Sequence, residues 1–345
     1  MHTESAVVLD SLRPALAEHL SAVELDQLVV LRADRTRRRS SIFFVGVDGS
    51  NRAYRWVVKQ PNDDSQQQDL PSPMSAAEQY GALLRLYRHL EQSTCDVSTP
   101  RPIALLPDIS AYVMDYVPGG TLTDLIEPRS LIRPAQLLAG MTCAGDVLHS
   151  VHSIEGAAPE TEAEPFDLDA LATQARTRAQ DVLQQAGLPV RASWFGVTRP
   201  PGAETATSRA RVVLHGDYAP ENILMSASGV YCLEPDLSER SWPEYDVARF
   251  VLMLFDAPMF VMGVDVPAVQ RLRRRAASTF LDAYYRGRSR PELLRIIMLD
   301  SLASRWATRH TDLVEREPRL MRTRDALLRR HFSKLLTELN SPIWP

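Results

Sequence analysis

The sequence predicts an α+β chain in two lobes, a small N-terminal antiparallel sheet lobe followed by a larger, mainly helical C-terminal lobe. Three observations predict it. β-type runs crowd residues 27–59 and recur near 102–106 and 111–117. Helical spacing of apolar residues dominates from residue 132 onwards. Between the two regimes, Pro118-Gly119-Gly120 ends a strand and permits a turn. The division therefore falls at residues 1–118 and 119–345.

Element by element, residues 5–20 space their apolar side chains for one helix face. Strands of the small sheet follow over 27–59, with Asp48-Gly49 as a hairpin turn. Residues 61–74, rich in Gln, Asp and Pro, read as a loop. Ser75 is a capping residue for a helix over 76–92. In the second lobe, long helices are expected at 132–152 and 167–186, with polar, Pro-bearing stretches near 156–165 and 198–206. A hairpin-like region covers about 212–237. Helices are then expected near 245–256, 267–286, 291–309 and 318–339, the last three opened by Pro267, Pro291 and Pro318. No internal repeat is evident.

The most informative segment is His215-Gly216-Asp217-Tyr218-Ala219-Pro220-Glu221-Asn222. Apolar runs, Val212-Val213-Leu214 and Ile223-Leu224-Met225, flank it. It reads as strand, tight loop and strand, and it presents a carboxylate at Asp217 and a carboxamide at Asn222. Protein kinases use this spacing for a catalytic aspartate and a metal-binding asparagine. The Asp217 carboxylate is suited to accept the proton of an attacking hydroxyl, and the Asn222 oxygen to ligate Mg²⁺. Downstream, Tyr231-Cys232-Leu233-Glu234-Pro235-Asp236 reads as a strand end carrying two acids.

The N-terminal half supplies matching pieces. Arg55-Trp56-Val57-Val58-Lys59 is a β-type run ending in a lysine, and a strand lysine in kinases pairs with the α- and β-phosphates of the nucleotide. Glu78, in the first turn of the helix after Ser75, is placed to orient Lys59; the helix dipole alone also favours an acid there. Asp115-Tyr116-Val117, at the end of a strand before Pro118, offers backbone N–H and C=O groups to adenine. The turn between the first strands falls near residues 32–41, where Ser40 or Ser41 is placed to donate to a phosphate oxygen and several arginines to add charge-assisted bonds.

The His-Gly-Asp form, with Gly216 where protein kinases usually have Arg, resembles the aminoglycoside phosphotransferase and choline kinase superfamily. The resemblance is at motif level over roughly residues 40–255. It implies a two-lobed protein-kinase-like fold and use of ATP with Mg²⁺. It implies that Glu244-Tyr245-Asp246-Val247-Ala248 matches the family's Tyr-Asp-Leu-Ala segment, whose Asp opens a helix and holds the catalytic loop through backbone contacts. It implies that His152, ending a helix, is a structural hydrogen-bonded residue. It also implies a metal-binding Asp near the end of the strand at 231–236.

Two features depart from that pattern. Glu234 stands where the family has Asp, and Mg²⁺ requires near-octahedral geometry at about 2.0–2.1 Å. Either Asp236 takes the metal, or Glu234 and Asp236 share it, or activity is weak. No glycine-rich loop covers the phosphates.

Composition sets the outer bounds. With 345 residues, 45% hydrophobic and 24% charged, the chain is an ordinary globular one long enough for two cores. A net charge of −4 argues against bulk electrostatic binding of nucleic acid. Three scattered cysteines define neither a disulfide framework nor a zinc site. No signal-like or membrane-spanning run is seen, and a cytoplasmic location, where ATP is available, is the expectation. Arginines crowd the C-terminal helices; most are expected to cover outer helix faces, and as a region they favour a neutral or anionic acceptor over a polycation. The leading reading is an ATP-dependent phosphotransferase acting on a small-molecule hydroxyl, with Asp217 as base. The alternative is a nucleotide-binding pseudokinase with a regulatory role. A protein kinase is disfavoured by the His-Gly-Asp form and by the lack of an Ala-Pro-Glu activation segment after Asp236.

Overall fold

The structure is a computed structural model, and it describes residues 2–34, 40–48, 53–61, 74–92, 97–154, 164–195, 208–316 and 321–340. The chain forms two compact units: Met1–Gly119 with Leu224–Ser238, and Gly120–Ile223 with Glu239–Pro345. The segment Leu224–Ser238 thus groups with the first unit by its contacts, although a single cut at 118/119 assigns it to the second.

The first unit is built on a five-stranded antiparallel sheet. Helices α1 (His2–Leu16) and α2 (Ala22–Asp26) precede β1 (Leu28–Asp34), β2 (Ser40–Val47) and β3 (Trp56–Pro61). Helix α3 (Ala76–Glu91), the short β4 (Val97–Ser98), β5 (Pro102–Leu106) and β6 (Ala111–Asp115) follow. The strand order is β1-β2-β3-β6-β5. Side chains alternate across a strand, and the two faces bury different partners. On one face, Val8, Leu12 and Leu16 of α1 pack with Phe43, Val45, Trp56, Val58 and Val113. Each such buried aliphatic contributes about 1.5–3 kcal/mol. On the other, Ala76 and Leu83 of α3 pack against Tyr112. Lys59 is the register partner of Tyr112, so it lies on the α3 face of a strand that has neighbours on both sides.

The region expected as a basic turn, Arg35–Arg39, lies outside the described residues, as do Gly49 of the expected hairpin turn and most of the loop after Pro61. Ser40 and Ser41 are not in a turn: they open β2, opposite Pro61 and Gln60, and Ser40 is buried.

The second unit is mainly helical. Two-residue strands β7 (Gly120–Thr121), β8 (Glu164–Pro165), β9 (Ser208–Arg209) and β10 (Val212–Val213) lie among α4 (Ala135–Val151) and α5 (Leu168–Gln185). Strands β11 (Ile223–Ser226) and β12 (Gly229–Cys232) come next in the chain and lie almost wholly in the first unit. The second unit resumes with β13 (Arg240–Ser241), α6 (Glu244–Phe255), α7 (Pro258–Met262), α8 (Pro267–Tyr285), α9 (Glu292–Arg316) and α10 (Met321–Leu339). Helix α4 packs on α8, and α9 packs on α5, α6 and α10. The α4–α8 approach needs Gly145: a Cβ there would sit 2.6 Å from the Phe280 carbonyl oxygen. Phe250 and Phe280 stack at 4.0 Å between ring centroids, and Trp306 stacks on Phe332 at 5.7 Å.

Many C-terminal arginines are paired inside the fold. Arg273 is fully buried and bonds Glu338, which Arg274 also reaches. Arg305 and Arg309 converge on Asp256, and Arg290 meets Asp282. Five of the region's arginines are thus tied to three acids, Glu338, Asp256 and Asp282.

This cluster sets a pH dependence. His331 is fully buried, 3.8 Å from Asp256. Burial depresses its pKa; Asp256 opposes that, and the charges of Arg273 and Arg309 add to the depression. An unfolded histidine titrates near about 6.5, so below that pH the unfolded chain binds more protons than the folded one. This contribution to stability is fully present above about pH 6.5 and declines as pH falls toward the folded value. Urea midpoints are expected to drop between pH 7.5 and 5.5, and less steeply in His331→Gln; equal slopes for the two proteins would refute the assignment.

Candidate active site

The catalytic-type loop is built within the second unit. β10 pairs with β13, and the Leu214 N–H donates to the Glu239 carbonyl at 2.9 Å, which anchors the loop at its start. Gly216 has φ +83°, a left-handed conformation in which any other residue is strained; this is the physical reason for glycine at that position. Tyr218 is fully buried, and its hydroxyl donates to the Ala144 carbonyl of α4 at 2.5 Å. Pro220–Asn222 forms a 3₁₀ turn, with Asn222 N–H donating to the Ala219 carbonyl at 2.9 Å.

Asp246 is the buttress. It is 2% exposed and accepts from the backbone N–H of His215 at 2.6 Å and of Gly216 at 3.1 Å. His152 Nε2 donates to it at 3.0 Å, while His152 Nδ1 lies 2.8 Å from the Tyr284 hydroxyl. Burial pushes its pKa up, but the hydrogen bond and charge of His152, with the His215 contacts, hold it below the ordinary carboxylate value. One buried carboxylate thus joins the ends of α4 and α6 to the start of the loop.

Asp217 and Asn222 come together as their spacing predicts. Asn222, 4% exposed, donates through Nδ2 to the Asp217 carbonyl at 2.8 Å and lies 3.3 Å from Asp217 Oδ2. The other carboxylate oxygen, Oδ1, takes a hydrogen bond from Arg249. Sequence reasoning passed over Arg249. The available signal is its place three residues after Asp246 on α6, which puts both side chains on one helix face.

In the first unit, Lys59 is 5% exposed and its Nζ pairs with Glu234 Oε1 at 2.9 Å. The expected partner, Glu78, is engaged elsewhere. Its Oε2 accepts from the Ser75 backbone N–H at 2.7 Å and from the Ser75 hydroxyl at 2.8 Å, while its own N–H donates to Ser75 Oγ. These bonds hold the Glu78 pKa below the ordinary value. Ser-x-x-Glu closes a capping box, and that local satisfaction outcompetes a reach to the sheet.

Strand β12 leads to Glu234 and is pinned by parallel pairing with β4, Val230 to Val97 and Tyr231 to Ser98. The Thr99 hydroxyl adds a hydrogen bond to the Cys232 carbonyl at 2.7 Å. Beyond it, Glu234 and Leu237 both have φ +54°, a region uncommon for side chains of their size. Asp236 Oδ1 accepts from the Ser238 N–H at 3.1 Å. Tyr112, the register partner of Lys59, has its hydroxyl pKa raised by burial and then by the Glu234 charge.

At the end of β6, the Asp115 N–H donates to the Arg101 carbonyl at 2.9 Å and the Tyr116 N–H to the Arg55 carbonyl at 2.8 Å. Those donors are spent within the sheet. Tyr116 packs edge-on with Phe44 and Tyr54, at 6.0 and 5.1 Å, which fixes the segment.

Among the described residues no cluster of three His, Cys, Asp or Glu side chains forms a metal site, and no described helix is long and apolar enough to cross a membrane. Asn222 in the second unit, and Glu234 and Asp236 in the first, each carry oxygen donors of the hard type that suits Mg²⁺.

No curated protein sequence matches the chain. Among solved structures, a glucosamine kinase in complex with glucosamine, ADP and inorganic phosphate aligns with a TM-score of 0.54 at 17% identity, covering 94% of this chain and 81% of the other. Choline kinase from Cryptosporidium parvum aligns with a TM-score of 0.50 at 12% identity, covering 96% and 95%. At such identities the likeness establishes a common fold, the protein-kinase-like one. The family-level match is decisive: residues 35–294 fit the phosphotransferase enzyme family that includes the aminoglycoside phosphotransferases, and the chain belongs to that family.

Proposed function

We propose that the chain is an ATP-dependent kinase that transfers the γ-phosphoryl group to a hydroxyl of a small molecule. The observation that carries the reading is the Asp217–Asn222 loop, held by Asp246 and closed on the Asp217 carboxylate by Arg249. Asp217 accepts the acceptor's hydroxyl proton as that oxygen bonds to the γ-phosphorus. The bond from phosphorus to the β–γ bridging oxygen breaks, and ADP leaves with the electron pair. Arg249 on Oδ1 and Asn222 beside Oδ2 fix the carboxylate in one orientation, which suits a reaction that depends mostly on positioning and charge neutralisation.

Lys59 is assigned to the α- and β-phosphates. Asn222 bonds Asp217 through its amide nitrogen, so its Oδ1 is the atom suited to Mg²⁺, with a carboxylate from Asp236 or Glu234. When bound, the ion neutralises phosphate charge. Adenine is matched by the Asp115 carbonyl as acceptor for its exocyclic amine and by the Val117 N–H as donor to a ring nitrogen; guanine would set its O6 acceptor against that carbonyl. Ser40, buried in β2, is a poor phosphate donor, and Ser41 is the better placed of the two. Glu78 acts on the helix end rather than on the nucleotide.

The test is Mg²⁺-dependent ADP release across pooled sugars, nucleosides, amino alcohols, aminoglycosides and macrolides. Release is expected to need one pool and ATP rather than GTP. ATP binding with no release from any pool would instead favour a nucleotide-binding pseudokinase.

A further inference from the structure

We infer that Glu234 is the positioning residue for Lys59, and that the metal-binding duty expected of its position falls to Asp236. The inference rests on the reading that Lys59 holds nucleotide phosphates. Three observations in the first unit carry it. Lys59 is buried in the middle of a sheet, and its ammonium pairs with Glu234 at 2.9 Å. A buried ammonium needs such a partner, because an uncompensated one is strongly unfavourable. The other acid placed to serve, Glu78, is committed to its own helix cap through Oε2 and makes no ion pair with Lys59 among the described residues. Finally, Glu234 adopts φ +54° while Asp236 lies beyond Pro235 in the same turn. Strained backbone at a long side chain persists where the surroundings over-determine it, and here it delivers the carboxylate to Lys59.

This accounts for Glu in place of Asp. One methylene adds about 1.5 Å of reach. An aspartate on the same backbone would draw the carboxylate back from its 2.9 Å contact with the ammonium. The longer side chain thus takes over the lysine-orienting duty that Glu78, locked in its capping box, does not perform. Asp236 retains the short, stiffly placed carboxylate that Mg²⁺ geometry favours.

Calorimetric titration with ADP, first in EDTA and then in Mg²⁺, separates the roles. Lys59→Ala and Glu234→Gln are each expected to weaken metal-free ADP binding about tenfold, the scale of one charge-assisted hydrogen bond. The double variant should lose no more than either single one, since both act through one group. Glu234→Asp should behave like Glu234→Gln. Asp236→Asn should keep metal-free affinity and lose the gain that Mg²⁺ brings. If Glu234→Gln binds metal-free ADP as well as or better than wild type, or loses only the Mg²⁺-dependent gain, the inference is overturned. If Lys59→Ala leaves metal-free binding unchanged, it is the phosphate assignment of Lys59 that fails, whatever Glu234 does.

Discussion

Asp217→Asn is expected to lower kcat about a thousandfold, within the range that a positioned general base contributes, while ADP affinity stays within about twofold. The substitution is isosteric. Asn222 bonds the Asp217 backbone carbonyl at 2.8 Å, so the loop keeps its principal internal tie. What disappears is the anionic oxygen that takes the proton, together with the charge that Arg249 grips. A carboxamide neither accepts a proton at neutral pH nor draws a guanidinium into the same geometry. Single-turnover measurements on the acceptor found in the pooled assay, beside ADP titration, separate chemistry from binding. Turnover within tenfold of wild type would remove Asp217 from the reaction and leave the loop as a structural turn.

Replacing the buttress should cost the fold rather than one chemical step. Asp246→Ala removes a buried anion that receives two backbone N–H groups and a histidine. Removing one partner of a buried charged network costs about 3–5 kcal/mol, a large part of a typical domain's stability. The expected result is a sharp fall in the urea midpoint and loss of activity together. Asp246→Asn keeps the volume and some of the hydrogen bonding, and should fall between the two. Hydrogen exchange distinguishes a local from a global cause: the amides of His215 and Gly216 should lose protection in Asp246→Asn while the first unit's sheet keeps its own. Unchanged protection at those two amides would show that the carboxylate does not hold the loop. The sign with pH follows from its depressed pKa. Asp246 contributes fully above the unfolded carboxyl value of about 3.9, and its contribution is lost as pH falls through the lower folded value.

The sequence by itself determined the kinds of elements and their order. Apolar periodicity and Ser or Pro start signals are local properties, so α3, α4, α5 and α8 fall within a few residues of their expected bounds. The pairing of Asp217 with Asn222 was equally legible, because five residues of tight loop cannot separate them far. Tertiary structure alone decided the partners of long side chains. In sequence Glu78 is the partner expected for Lys59 and Glu234 a metal ligand; the capping box removed the first from that role, and the pinned end of β12 with its left-handed turn brought the second to the lysine. Arg249 reaches Asp217 only because Asp246 docks α6 onto the loop. The arginines of the last helices look like a basic surface in one dimension, yet packing turns Arg273, Arg305 and Arg309 onto acids from other helices. Local periodicity is written in neighbouring residues, whereas a charge's partner is chosen by which helices and strands pack together.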